Sequence, residues 1–244
     1  MKIVATIEAR MTSSRLPGKV MLPAAGKSML EHLVNRLKQV RSINEIVVAT
    51  TINATDDCLV EEAHRIGVKS FRGSEEDVME RVIGAAASTN ADIVVEITGD
   101  CPIIDPLLVE QTIQMFLHND CDYASNAHVR SYPDGMDVQV YNLTTLKKSF
   151  SMTNDPLDHE HVTAHIIRHP EIFRQVALVA APDCFWPELG LTLDEQQDYQ
   201  LLKHLIESLG AANEYFSCRE AINYLCNNPQ LLELNAAVKR KGYA

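Results

Sequence analysis

No apolar run in this chain is longer than a strand. Stretches such as Ile46–Ala49 fall far short of the ~20 residues that cross a bilayer. The opening Met1–Ile7 meets Glu8 and Arg10 too early to form a signal-peptide core, so a cytoplasmic address is expected. Positive charge is also scarce: 22 Lys+Arg stand against 33 Asp+Glu, a net charge of -11. That balance argues against a nucleic-acid polymer or an anionic membrane surface as partner. The six cysteines contain no C-x-x-C pair and no zinc-ligand spacing, and they are far too sparse for a disulfide scaffold. Free, mostly buried thiols are expected. Missing too are a G-x-x-x-x-G-K-[ST] loop, a G-x-G-x-x-G after a strand and a G-x-S-x-G elbow. These absences exclude a Walker A site, a dinucleotide fingerprint and a hydrolase triad.

What remains is the composition of an ordinary globular protein, 244 residues with 46% hydrophobic and 23% charged side chains. That length suits one large α/β domain or two small ones. The charge is unevenly spread. Residues 1–41 balance to +6 and the rest to -17, so an acidic protein begins with a basic segment that suits an anionic ligand.

Lys2–Ile7 reads as an opening strand, and residues 8–27, with Pro17, Gly18, Pro23 and Gly26, as a long loop. Ser28 and Glu31 form a capping-box pattern ahead of a helix bearing Leu30, Leu33, Val34 and Leu37 on one face. Glu45–Thr50 is a second strand, Asp56–Ile66 a helix, and Gly67–Phe71 a short strand. Ser74 with Asp77 opens another helix, Asp92–Thr98 is a strand, and Asp105-Pro106 starts the next helix. Four strand–helix alternations imply an α/β fold with a mostly parallel sheet wound by helices. The second half is looser. Strands are expected at Met136–Tyr141 and Gln175–Ala180, a polar helix near 158–168, a helix capped by Asp194, and a helical tail over Ala221–Val238 broken at Pro229. With no repeat or linker, a single domain over 1–244 is expected.

Ligands of wound α/β sheets sit beyond the carboxyl ends of strands. There the first loop offers Arg10, Arg15 and Lys19, the hydroxyls of Thr12, Ser13 and Ser14, and backbone donors freed by Gly18. Three cations in ten residues suit a triphosphate better than a solvated loop. Asp100, in Thr98-Gly99-Asp100, ends a strand where a carboxylate can hold Mg²⁺ against phosphate oxygens. Asp194 ends the apolar strip Leu191-Thr192-Leu193. It is either a second ligand or a helix N-cap. His161 and His165 have helical i, i+4 spacing but neither the H-E-x-x-H order nor a third ligand, so a polar substrate-facing helix is expected rather than zinc.

Ala9-Arg10-x4-Arg15-Leu16-Pro17-Gly18-Lys19, with Gly26-Lys27-x-Met29-Leu30-Glu31-His32, resembles the sugar-acid cytidylyltransferases, among them the CMP-Kdo and CMP-sialate synthetases. Arg72-Gly73-Ser74-Glu75-Glu76-Asp77, Thr98–Pro106, Pro133–Val138, Glu160–Thr163 and Leu191–Asp194 resemble their relative, the spore coat polysaccharide biosynthesis protein F family. The likeness covers roughly residues 1–210. It implies a three-layer α/β/α sandwich with a mostly parallel mixed sheet, the glycosyltransferase-A-like fold of nucleotide-diphospho-sugar transferases. About 1–125 would be the nucleotide-binding half, 126–210 the acceptor and dimerisation elements, and 211–244 a helical tail. It further implies CTP, Mg²⁺, pyrophosphate release, a homodimer, and a place in surface polysaccharide or glycoconjugate precursor synthesis.

Carried over residue by residue, Arg10, Arg15 and Lys19 resemble the triphosphate binders, with Ala9, Ser14 and Thr98 beside them. Arg72, Ser74, Asp77 and Arg81 fall near the base or acceptor. Asp134, Asp137, Glu160 and His161 resemble acceptor-side residues, and Asp100 and Asp194 resemble the metal ligands. At residues 72–77 the chain departs from the sialate and Kdo branches, so a keto-sugar acid is not assigned as acceptor. An anionic acceptor is expected, with His161 available to help a hydroxyl. Two other readings are a nucleotide-binding module without chemistry and a glycosyltransferase using a nucleotide sugar. The latter wants a D-x-D motif at the fourth strand end, whereas Asp120-Cys121-Asp122 sits in a late loop.

Overall fold

The β-branched runs fall where a sheet needs them. A computed structural model describes residues 1–240 of the chain. In chain order its regular elements begin with β1 (Ile3–Glu8), a small hairpin β2 (Pro23–Ala24) and β3 (Lys27–Ser28), and α1 (Met29–Leu37). Then come β4 (Glu45–Thr51), α2 (Asp57–Arg65), β5 (Lys69–Gly73), α3 (Val78–Ser88), β6 (Ile93–Thr98) and α4 (Pro106–His118). The second half holds β7 (Tyr123–Ser125), β8 (Gln139–Asn142), α5 (Leu143–Met152), α6 (Pro156–Glu160) and α7 (Ala164–Arg168). β9 (Gln175–Ala177), α8 (Gln196–Gly210) and α9 (Cys218–Asn227) complete it.

The main sheet runs β5-β4-β1-β6-β8-β7-β9. Its strands are parallel except β8, which pairs antiparallel with both β6 and β7. Alternation along β1 sends Ile3, Ala5 and Ile7 to one face, against Leu33 of α1, Leu59 of α2 and Ile113 of α4. Val4 faces the other side, with Met79 and Val82 of α3, Leu146 of α5 and Ile166 of α7. This is a three-layer α/β/α sandwich. A third apolar cluster joins Tyr132, Met136, Leu191 and Leu193 to Leu205 of α8 and Leu225 of α9. No helix among the described residues is long and apolar enough to cross a membrane. All six cysteines are free, three of them buried.

Several local expectations are corrected. Residues 8–27 are not all loop, since they hold the β2–β3 hairpin and a 3-10 turn at Lys19–Met21. Ser28 does cap α1, its Oγ accepting from the Glu31 amide at 3.0 Å, but the Glu31 carboxylate turns away to Arg65. Asp77, not Ser74, is the N-cap of α3. The helix near 158–168 is two short helices, parted where Val162 takes a φ of 45°, so His161 and His165 do not share a helix face. Glu195 caps α8 in a reciprocal box with Asp198, which frees Asp194 from the capping role. The tail is α9 followed by a 3-10 segment at Pro229–Leu234, and positions 241–244 lie outside the described residues. β7 and α5 carry too short or too weak a pattern to be foreseen.

Candidate active site

The carboxyl ends of β1 and β6 lie side by side, with Glu8 opposite Thr98. Loops leaving them wall a cavity of about 640 Å³. The first loop is held in shape by its own backbone, the Gly18 amide donating to the Met11 carbonyl at 2.9 Å. The Met11 amide in turn donates to Asp56 Oδ1 at 2.8 Å. Asp56 is buried and also accepts from both threonines that end β4, Thr50 and Thr51. Gly99 permits the close approach of the second loop, because a Cβ there would stand 2.6 Å from the Glu8 carbonyl oxygen.

Asp194 reaches the same mouth from far along the chain. The Leu191 amide donates to the Asp134 carbonyl at 2.7 Å and the Leu193 amide to the Asp100 carbonyl at 2.8 Å. This threads the strip between two loops and brings two carboxylates onto one cation. Lys19 Nζ donates to Asp100 Oδ2 at 2.8 Å and to Asp194 Oδ1 at 3.1 Å, and Arg15 Nη2 lies 2.8 Å from that same Asp194 oxygen. Burial works against the Lys19 charge, but Asp100 and Asp194 outweigh it and hold the ammonium above its ordinary pKa. Burial likewise opposes ionisation of Asp100, and the Lys19 charge overcomes it, keeping that carboxyl below its usual range.

This donor set fits a magnesium ion shared with a nucleotide. Among the described residues no cluster of three or more metal-ligating side chains occurs. Two convergent carboxylates are what Mg²⁺ takes from a protein when phosphate oxygens and water complete its shell.

The cavity also gathers Ala9, Arg10, Ser14, Thr98 and Arg81 on the first-half side, and Asp134, Asp137, Glu160 and His161 on the other. Arg10 is turned towards Glu75 at 3.5 Å, which Thr12 and Asn53 also contact. Val162, buried and in the left-handed region that β-branched residues avoid, places the Glu160-His161 turn at the wall. Three expected residues are not brought to the cavity. Arg72 lies against Asp57 and the Thr51 and Asn53 carbonyls. Asp77 caps α3 and meets His159 Nδ1 at 2.7 Å, while the Ser74 hydroxyl accepts from the Asp77 amide. Ser74 still matters through its backbone, since its carbonyl accepts from the buried Arg81.

Sequence reasoning missed the floor. Glu8, Glu96 and Gln139 line it, and Arg130 stands at the rim 3.7 Å from Asp134. Burial raises Glu8 well above the ordinary carboxylate value, helped by Glu96 and opposed by Arg81. Burial pushes Glu96 up to about 7, against the Tyr141 hydroxyl that donates to it at 2.5 Å. Asp137 is also held at about 7, by burial first and by the neighbouring Asp134 charge second. The sequence carries little signal for Glu8 and Glu96, because a single glutamate inside DIVVEIT, and another ending β1, each reads as the solvent side of a strand.

Comparison with known proteins shows the family. The profile of a family described as cytidylyltransferase matches residues 4–228. The spore coat polysaccharide biosynthesis protein SpsF of Bacillus subtilis is 35% identical over 235 residues, covering 93% of this chain and 95% of that protein. A solved cytidylyltransferase from Leptospira borgpetersenii superposes with a TM-score of 0.90 at 33% identity, covering 95% of this chain and 97% of the other. A CMP:2-keto-3-deoxy-manno-octonic acid synthetase in complex with CTP shares the fold, with a TM-score of 0.65 at 21% identity over 84% of this chain and 98% of its own.

Proposed function

The chain belongs to the cytidylyltransferase family, and from that premise we propose that it moves CMP from CTP to a small anionic acceptor with release of pyrophosphate. The observation that carries the reading is the convergence of Lys19, Arg15, Asp100 and Asp194 at the mouth of one cavity. SpsF, named for spore coat polysaccharide biosynthesis, supports an acceptor drawn from surface polysaccharide or glycoconjugate precursors.

In this reading an acceptor oxygen attacks the α-phosphorus, a new P–O bond forms, and the bond to the bridging oxygen breaks as pyrophosphate leaves. Arg10, Arg15 and Lys19 bind the triphosphate oxygens on which charge builds. Asp100 and Asp194 would hold Mg²⁺, which supplies charge neutralisation at the phosphates. Arg81 and Arg130 both line the cavity, and in this reading Arg81 would meet the nucleoside and Arg130 the acceptor. An acid acceptor that arrives ionised needs no strong base. A hydroxyl acceptor gives up its proton, and Asp137 and His161 line the same wall to receive it. Holding both substrates in line contributes several kcal/mol of the barrier. Homodimerisation through residues 126–210 belongs to the same proposal and is read by light scattering in solution.

The deciding experiment measures pyrophosphate release with each of the four nucleoside triphosphates against a panel of acidic sugars and metabolites. CTP is expected to be preferred, and Lys19→Ala or Asp100→Asn to reduce turnover by about 100-fold or more while the protein stays folded. Full activity in either variant refutes the assignment, and CTP binding without pyrophosphate release favours a non-catalytic nucleotide-binding module.

A further inference from the structure

Residues 235–240 lie beyond the family match at 4–228, yet they pack directly behind Asp194 and Arg15 of the site. Asn235 Nδ2 donates to the Gly190 carbonyl at 3.0 Å and to Asp198 Oδ1 at 2.9 Å. Arg240 Nη2 donates to that same Asp198 oxygen at 2.6 Å. Arg240 Nη1 stands 3.9 Å from Asp194 Oδ2, buried and without a hydrogen-bond partner. Arg15 ties the segment to the nucleotide loop, donating from Nη1 to the Lys239 carbonyl at 3.4 Å.

Asp198 is the hub of this arrangement. It is fully buried, and its other oxygen accepts from the Asp194 amide at 3.1 Å and the Glu195 amide at 2.9 Å. A carboxylate taken out of water needs a counter-charge, and Arg240 supplies it. Gly190 leaves the space for this: a Cβ there would meet Arg240 Nη2 at 2.0 Å.

We propose that Arg240 is a positioning residue of the transfer reaction. Through Asp198 it fixes the Asp194 amide, and so the direction in which the Asp194 carboxylate faces Asp100. The C-terminal segment is then a working part of the site and not a surface tail. This rests on the reading of Asp100 and Asp194 as the metal-binding pair.

The test titrates Mn²⁺, by calorimetry, into the full-length wild type and the variants Arg240→Ala, Arg240→Lys and Gly190→Ala, each holding one equivalent of a non-hydrolysable CTP analogue. CTP-dependent pyrophosphate release and thermal melting run in parallel. Gly190→Ala keeps the guanidinium but pushes it aside, so it separates position from charge and does not depend on the alanine variant folding. Arg240→Ala and Gly190→Ala are each expected to weaken Mn²⁺ binding about tenfold or more, as loss of an outer partner of a metal ligand does. They should lower kcat with little change in KM for CTP, and Arg240→Lys should recover part of both losses. Unchanged Mn²⁺ affinity and kcat in the alanine variants overturn the proposal, whatever happens to Tm. A wild type that turns over CTP as fast in EDTA as with Mg²⁺ overturns the metal reading and the proposal with it, leaving the nucleotidyl transfer standing.

Discussion

Glu96 sits under the cavity with its carboxyl held at about 7 by burial, which the Tyr141 hydroxyl only partly offsets. The unfolded chain would titrate the same group near ~4.3. The native state therefore binds the extra proton, and the associated stability is fully present below about pH 4 and lost as pH rises through 7. The size of that loss is on the order of 3 kcal/mol for a group this deeply buried. Glu96→Gln keeps an acceptor for Tyr141 and removes the titration. In urea unfolding at pH 5 and pH 8, the variant should lose less stability between the two than the wild type does, while Glu8, also raised by burial, keeps some slope. Parallel losses in the two proteins would mean that Glu96 does not titrate in this window. The same physics explains why the residue escaped the sequence reading. In DIVVEIT a lone glutamate looks like the solvent side of a strand, and only the helices packed on both faces of the sheet make it a buried acid.

Among the elements, the loop between β1 and the Lys19 turn depends on a residue outside it. Asp56 accepts from Thr50 Oγ1 at 2.9 Å, Thr51 Oγ1 at 2.6 Å, the Thr51 amide at 3.1 Å and the Met11 amide at 2.8 Å. Asp56→Ala should lower stability by about 2 kcal/mol, because several buried donors lose their acceptor together. It should also raise the Kd for CTP several-fold by calorimetry, with kcat at saturating CTP less affected. A loop variant with wild-type CTP affinity would show that Met11 needs no such anchor. Elements like this one divide cleanly by what the sequence can encode. EIVVAT, DIVVEIT and the Asp105-Pro106 start are local patterns, and they became β4, β6 and the beginning of α4 as expected. Arg15, Lys19, Asp100 and Asp194 each follow a strand or strip, so their places could be read as well. The break at Val162 could not, because burial of that side chain forces a backbone angle its residue type disfavours. Nor could the choice of Glu195 over Asp194 as cap, since aspartate is the better N-cap by residue type and only the Asp198 carboxylate, accepting from the Glu195 amide, overrides that preference. Arg72 reads as a ligand-binding cation, and only the nearby β4 carbonyl and Asp57 show where its guanidinium goes.

For the molecule as a whole, residues 214–225 are as integral as the first half. Arg36 of α1 is only 2% exposed, and burial pulls its pKa down to about 10. Its guanidinium stacks 4.2 Å from the Phe216 ring, with Nη1 donating to the Phe216 carbonyl at 2.8 Å and Nη2 to the Glu214 carbonyl at 3.0 Å. Asp105 caps α4 with one oxygen and accepts from the Cys218 amide at 2.8 Å with the other, docking the start of α9 onto the first half. The nucleotide half and the C-terminal helices are thereby joined by buried polar contacts as well as by the cluster around Leu193, Leu205 and Leu225. One cooperative unfolding transition is expected. Arg36→Met keeps the apolar stem but takes the guanidinium donor from three carbonyls, those of Ile104, Glu214 and Phe216. It should lower stability by about 3 kcal/mol, or roughly 10 °C in Tm for a chain of this size. Thermal melting followed by circular dichroism reads both the shift and the shape. Ending the chain after Gly210 should be harsher, because α8 then exposes the face it buries against α9 and the protein aggregates. A soluble truncated chain that melts in one step and binds CTP with wild-type affinity would show instead that the first 210 residues fold alone.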